Sequence, residues 1–237
     1  TIFTILNGAL LKPLPYDDSG RLLVLAPPDA GTQSGLLFQF VRQRSQALQH
    51  VSAQGQPSGW NLVAGDAATY VSALGVSAGY FEAHAVRPLL GRTFTSADDT
   101  PGAANVAVIP EALWTRIFGR RSDAIGQTVL LGGIPHEIVG IVPDGFRSIP
   151  AAELWTPLRI HPADNTFSYR TFGRPAASAS PAAAAAEFDS FRAAILEELP
   201  RTNANRLAAT QWTPLENYLG AAARSPVLML LGAAGFL

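Results

Sequence analysis

The 237-residue chain carries 17 basic and 18 acidic side chains scattered along its length, for a formal net charge of −1, so it projects no field that would gather nucleic acid or an anionic membrane surface. Its 48% hydrophobic content can furnish the core of one large domain or two small ones. Cysteine is absent, which excludes disulfides, thiolate metal sites and a thiol nucleophile.

Residues 1–11, TIFTILNGALL, are apolar apart from Thr1, Thr4 and Asn7, and residues 226–237, PVLMLLGAAGFL, carry no charge. A spanning helix needs about 20 apolar residues to cross about 30 Å of hydrocarbon. Each run is therefore read as a partial transmembrane helix, with a water-facing chain between them. Pro13 and Pro15 in LKPLPYDD end the first helix, because proline lacks an N–H and disfavours helix for the residue before it. RLLVLA (21–26) reads as a buried strand bounded by Pro27 and Pro28. Ser34 is placed to cap a helix from about Gly35 to Gln49, with Leu37, Phe40, Val41 and Leu48 near one face. Strands at 60–63 and 70–76 flank the turn-prone Ala64-Gly65-Asp66.

Beyond Arg87-Pro88 the segments shorten. The run NVAVI (105–109) precedes a helix in EALWTRIFG (111–119), with Pro110 at its first turn and Gly119 at its C-terminal cap. Gly132-Gly133 joins two β-rich runs as a hairpin over 128–142, and 151–158 closes the section as a strand. Ser180 and Pro181 start, and Pro200 stops, an amphipathic helix in which Phe188, Phe191, Ile195 and Leu199 recur at spacings of three and four. A strand at 206–212 follows, and 214–225 continues helically into the terminal apolar run. The order βαββ, a β-rich insertion, then βαβ predicts an α+β fold of two lobes. Residues 13–85 and 161–213 would form a discontinuous βαβ-type lobe and 86–160 an inserted, mostly-β lobe. Residues 1–12 and 214–237 would carry the stalks and membrane segments.

Catalytic and metal chemistry has little purchase. GVSAG (75–79) matches the nucleophile elbow of serine hydrolases, with Ser77 as nucleophile and Asp144 and His161 as the available partners in chain order. The elbow needs a long following helix, which Arg87-Pro88 interrupts, so a strand end with a tight turn is the simpler reading. His50, His84, His136 and His161 lack metal-ligand spacing, and the pairs Asp98-Asp99 and Glu197-Glu198 read as solvated charge. There is no GxxxxGK[ST] phosphate loop, so the chain binds no ATP by that device.

Several segments, weak singly, are specific in their order: LLKPLPY (10–16), GVSAGYF (75–81), VRPLLGRTFTSADD (86–99), LWTRIFG (113–119), IGQTVLLGGIPHEIVGIVPDGF (125–146) and ELWTPL (153–158). Together they resemble the MacB-like periplasmic core domain of ABC-transporter permeases of the MacB/FtsX superfamily, in the acidobacterial type. Pro110 departs from the pattern, standing where that family often has a capping serine. The resemblance implies an extracytoplasmic domain held between two membrane helices of a permease in the bacterial inner membrane. It implies no catalytic, cofactor or metal site here, ATP being bound by a partner cytoplasmic ABC ATPase. A second permease protomer would be a further partner, with lipid at both chain ends. Pro13, Leu14, Pro15 and Tyr16 would form a rigid elbow at the first stalk, faced by Leu215, Tyr218 and Leu219 of the second. The competing readings are a soluble extracytoplasmic binding or adaptor module and a serine hydrolase using Ser77.

Overall fold

The protein's computed structural model describes residues 21–27, 31–146, 148–199, 202 and 204–220. Both apolar runs and the elbow Pro13, Leu14, Pro15 and Tyr16 lie outside the described residues, among which no helix is long and apolar enough to cross a membrane. The first half contains β1 (Leu23–Ala26), β2 (Gln33–Ser34), α1 (Gly35–Arg44), β3 (Leu48–Ala64), β4 (Ala67–Val76), α2 (Tyr80–Ala83), β5 (Leu90–Gly91), β6 (Val106–Pro110) and α3 (Glu111–Phe118). A 3-10 turn at Ser122–Ala124 leads to β7 (Thr128–Leu131), β8 (Ile134–Val142), β9 (Leu154–Pro157), β10 (Phe167–Pro175), α4 (Pro181–Glu198), α5 (Ala204–Ala209) and β11 (Gln211–Pro214). Residues 215–220 are helical and are called α6.

One sheet path runs β11-β1-β10-β3-β4-β9-β6-β8-β5, with β2 beside β10. Its first part is antiparallel and covered on one face by α1 and α4. Leu37, Phe38, Phe40 and Val41 of α1 meet Phe188 and Ile195 of α4 over Leu23, Leu25 and Ala53 of the strands. Ser34 Oγ accepts from Leu37 N at 3.2 Å and Ser180 Oγ from Ala183 N at 3.1 Å, so both helices start on the expected caps.

The second part closes on itself. β3 pairs with β4, β4 with β9, β9 with β6, β6 with β8, β8 with β7, and β7 again with β3. Every strand of this ring contributes to a single core: Leu62, Val71 and Ala73, Leu154, Ala107 and Ile109, Ile138 and Ile141, Val129 and Leu131. Alternate residues of β4 and β6, namely Leu74, Val76, Val106 and Val108, face a second core with Phe81, Phe94, Phe146 and Trp155, as period-two side-chain geometry requires. The 17-residue β3 serves both parts, its first half against β10 and its second in the ring.

The structure corrects four assignments. The first helix ends at Arg44, not Gln49, because Glu187 of α4 accepts from Gln46 N at 2.7 Å and Ala47 N at 3.1 Å, and Leu48 then enters β3. β3 begins twelve residues before Trp60; Gly55, Pro57 and Gly59 disguise it, and the register shifts between Gln54 and Pro57. Residues 204–209 are helix, and the last strand is only Gln211–Pro214. There Arg192 donates to the carbonyls of Leu207 and Thr210, bonding the end of that helix to α4. The central strand β10 has no counterpart in the sequence-based assignment.

Candidate functional site at the base of the sheet

Because β1 lies between β10 and β11, residues 21–23 and 213–215 sit side by side; Leu23 faces Pro214, and Leu215 N donates to Leu22 O at 2.8 Å. Arg21 reinforces this end by donating to Ala176 O at 2.8 Å. From there α6 lies against the core, with Leu215 and Tyr218 buried and Leu219 half-buried among Val24, Tyr80 and Phe172. The structure thus brings the expected Leu215, Tyr218 and Leu219 together on one helical face.

Their partners were not legible in the sequence. The Arg170 guanidinium lies 5.3 Å from the Tyr218 ring centroid and donates to Ile149 O at 3.0 Å, an oxygen that also accepts from Gln54 Nε2 at 2.7 Å. Tyr80 Oη donates to Gln54 Oε1 at 2.9 Å, and His84 Nδ1 lies 2.7 Å from Tyr80 O. His84 is wedged between Tyr80, Phe172 and Phe146 at centroid distances of 4.2, 4.9 and 5.6 Å. Burial pushes its pKa down to about 4, with Arg174 adding to that and the Tyr80 carbonyl opposing it, so the ring is neutral near pH 7. The cavity among His84, Ile149, Arg170 and α6 measures only about 10 Å³, room for about one water. The junction is thus closely packed around its polar groups.

A second polar knot ties the GVSAG turn to the TSADD loop. Ser77 is 1% exposed; its Oγ accepts from Ala53 N at 2.8 Å and donates to Ala78 O at 3.2 Å. Asp144 accepts from Ala112 N at 2.7 Å, supplying from the end of β8 the helix cap that Pro110 lacks. His161 Nδ1 accepts from Ala163 N at 3.1 Å. The three triad candidates thus serve three separate backbone groups, and the hydrolase reading of Ser77 loses its support. Asp99 accepts from Ala78 N at 2.9 Å and Arg159 N at 2.8 Å, while Asp98 accepts from Arg92 at 2.6 and 3.1 Å and from Thr95 N at 2.7 Å. Burial raises the Asp98 pKa, but the Arg92 and Thr95 hydrogen bonds outweigh it and hold the carboxyl at about 2. Among the described residues no three His, Asp or Glu side chains converge as a metal site.

Comparison with known proteins agrees with this architecture. The macrolide export ATP-binding/permease protein MacB 1 of Aeromonas hydrophila is 34% identical over 96 residues, 39% of this chain and 15% of that protein. The chain therefore spans a small fraction of the curated relatives it matches. Among solved structures, the periplasmic region of MacB from Actinobacillus actinomycetemcomitans superposes with a TM-score of 0.58 at 15% identity, covering 82% of this chain and 99% of that one. The extracellular domain of the ABC-type transporter YknZ from Gram-positive bacteria gives 0.54 at 19% identity, covering 81% and 98%. At these identities the structural likeness concerns the fold. The family profile described as the MacB-like periplasmic core domain matches residues 1–191, and the chain belongs to that family.

Proposed function

We propose that this chain is the extracytoplasmic domain of an inner-membrane ABC permease, where it couples ATP hydrolysis by a cytoplasmic ABC ATPase to movement or export of a substrate outside the membrane. The observation that carries this reading is the adjacency of residues 21–23 and 213–215 on paired strands, with α6 packed directly on the core. Two flanking membrane helices would then leave the domain side by side. A shift of either would act on the sheet through β1 or β11, and on the Arg170, Ile149 and Gln54 cluster through Tyr218. In this scheme Pro13, Leu14, Pro15 and Tyr16 stiffen the first stalk, lipid surrounds both chain ends, and a second protomer carries the opposing domain.

The test is made in the intact permease with its ATPase. Tyr218→Ala, and separately the double exchange of Pro13 and Pro15 for Ala, should lower transport about tenfold or more while expression and basal ATP hydrolysis are retained, since the coupling step is weakened and the ATP site is untouched. Unchanged transport at unchanged expression in both variants would overturn the coupling role. Recovery of the intact gene product in the aqueous phase without detergent would favour a soluble adaptor instead.

A further inference from the structure

A cleft of about 290 Å³ opens between α1 and the segment that follows β9. This is near the lower end of the roughly 300–1,000 Å³ typical of small-molecule sites. Phe38 forms its floor, Ile160 and Pro162 one wall, and Arg42, Gln39 and Asp99 its polar rim.

The cleft is preformed, because the wall is pinned to the helix at several points. Leu36 N donates to Asp164 O at 2.9 Å, and Gln39 Nε2 reaches Ile160 O at 3.4 Å and His161 O at 3.2 Å. A Cβ on Gly35 would lie 2.6 Å from Ile160 Cγ2 and 2.9 Å from Asp164 O, so glycine is needed for this close approach. Within the segment, Asp164 accepts from Thr166 N at 2.7 Å and from Tyr169 Oη.

The two charged residues on the rim, Arg42 and Asp99, differ in how far their polar atoms are already committed. Asp98 is taken by Arg92, and the two oxygens of Asp99 each accept a backbone N–H. Arg159 spends its guanidinium on neutral acceptors, Asp98 O at 3.1 Å, Asn105 Oδ1 at 2.9 Å and Ala104 O at 2.5 Å. Arg42 makes only a long ion pair, 3.7 Å to Asp99 Oδ2, and its guanidinium carbon stands 5.7 Å from the Phe38 ring centroid. A close charge-assisted N–H···O bond is about 2.7–2.9 Å, so most of the Arg42 donor fork is uncommitted to that carboxylate. Asp99, the other charged residue on the rim, has both oxygens held by backbone N–H groups, so the Arg42 guanidinium is the group left with donors for an incoming anion.

We infer that this cleft binds a small monoanion with an apolar body, its carboxylate on the Arg42 guanidinium and its apolar part against Ile160 and Pro162. The inference goes beyond the transport reading and does not rest on it. Its test uses the 237-residue chain with 1-naphthaleneacetate and its uncharged primary amide as probes, followed by saturation-transfer and amide-shift NMR. The carboxylate should bind and perturb residues 38–43 and 159–163, with the amide about tenfold weaker or worse. Arg42→Gln should reduce carboxylate binding to the level of the amide. Pro162→Glu, at an exposed position, should weaken the carboxylate about tenfold and leave the amide unchanged, so the result survives a folding defect in the first variant. Equal binding of the two probes, binding to neither, or a carboxylate affinity indifferent to both variants would overturn the assignment.

Discussion

The closed β ring and the helix-covered part of the sheet solve the problem of holding strands together in opposite ways. In the ring, the two hairpins β3–β4 and β7–β8 turn through glycines with left-handed backbone, at Gly65, Gly132 and Gly133, and backbones approach closely where side chains are missing. In the helix-covered part, segments more than a hundred residues apart are fastened by carboxylates and guanidiniums reaching backbone groups: Glu187 to Gln46 and Ala47, and Arg21 to Ala176. Local steric permission governs the first, long-range polar ties the second. Substitutions should therefore fail differently in the two parts.

The largest effect is expected where the edge strand β5 meets ring strand β8 through missing atoms. Gly91 and Gly140 face each other across β5 and β8, and a Cβ on Gly140 would stand 2.0 Å from Arg92 O. That obstacle is backbone, so relief requires the strands to part. Gly140→Ala should cost about 3 kcal/mol, read as a fall in the urea midpoint with the slope retained. A loss below about 1 kcal/mol would mean that β5 sits more loosely on β8 than its pairing implies.

At the seam between the two parts, Asp99→Ala should cost about 2 kcal/mol, because it strands the N–H groups of Ala78 and Arg159. Arg159 has a φ of +51°, left-handed backbone that a non-glycine residue adopts at a cost, so its anchoring matters more than its exposure suggests. Amide exchange should accelerate around residues 77–81 and 157–160 before it does in the ring. Uniform acceleration across both parts would erase the distinction drawn between them.

The same contrast explains what was legible in the sequence. The hairpin at Gly132-Gly133, the α3 cap at Gly119 and the Ser180-Pro181 start of α4 are written in adjacent residues, and each stands where the pattern put it. β10 could not be read, because FSYRTFGRP owes its strand state to partners at residues 23–25 and 48–54, while its own glycine and proline argue against it. The end of α1 is set by Glu187, and the last strand is shortened by an Arg192 tie, both distant in the chain. At the base, Leu215, Tyr218 and Leu219 were named only through the family resemblance, and the structure places them on one helix. Arg170, Gln54 and His84 were not legible as their partners, since a polar residue beside a strand carries no mark of the carbonyl it will meet.

The smallest effect tests whether those long-range ties do more than neutralise charge. Glu187 is half-buried and accepts from Gln46 N, Ala47 N and Ser45 Oγ, whereas Glu198, on the same helix, makes an exposed bidentate pair with Arg44 at 2.8 and 3.0 Å. Removing Glu187 strands backbone donors at the turn where α1 gives way to β3, which should cost about 1 kcal/mol. Removing Glu198 returns one exposed arginine to water and should cost about 0.5 kcal/mol or less. Added salt should shrink the Glu198→Ala effect more than that of Glu187→Ala, because direct hydrogen bonds to a half-buried turn are screened less than an exposed ion pair. If the two variants lose equal stability and respond alike to salt, the carboxylates act only as surface charge, and the α1–β3 turn must be fixed by the packing of Leu48 and Phe40 alone.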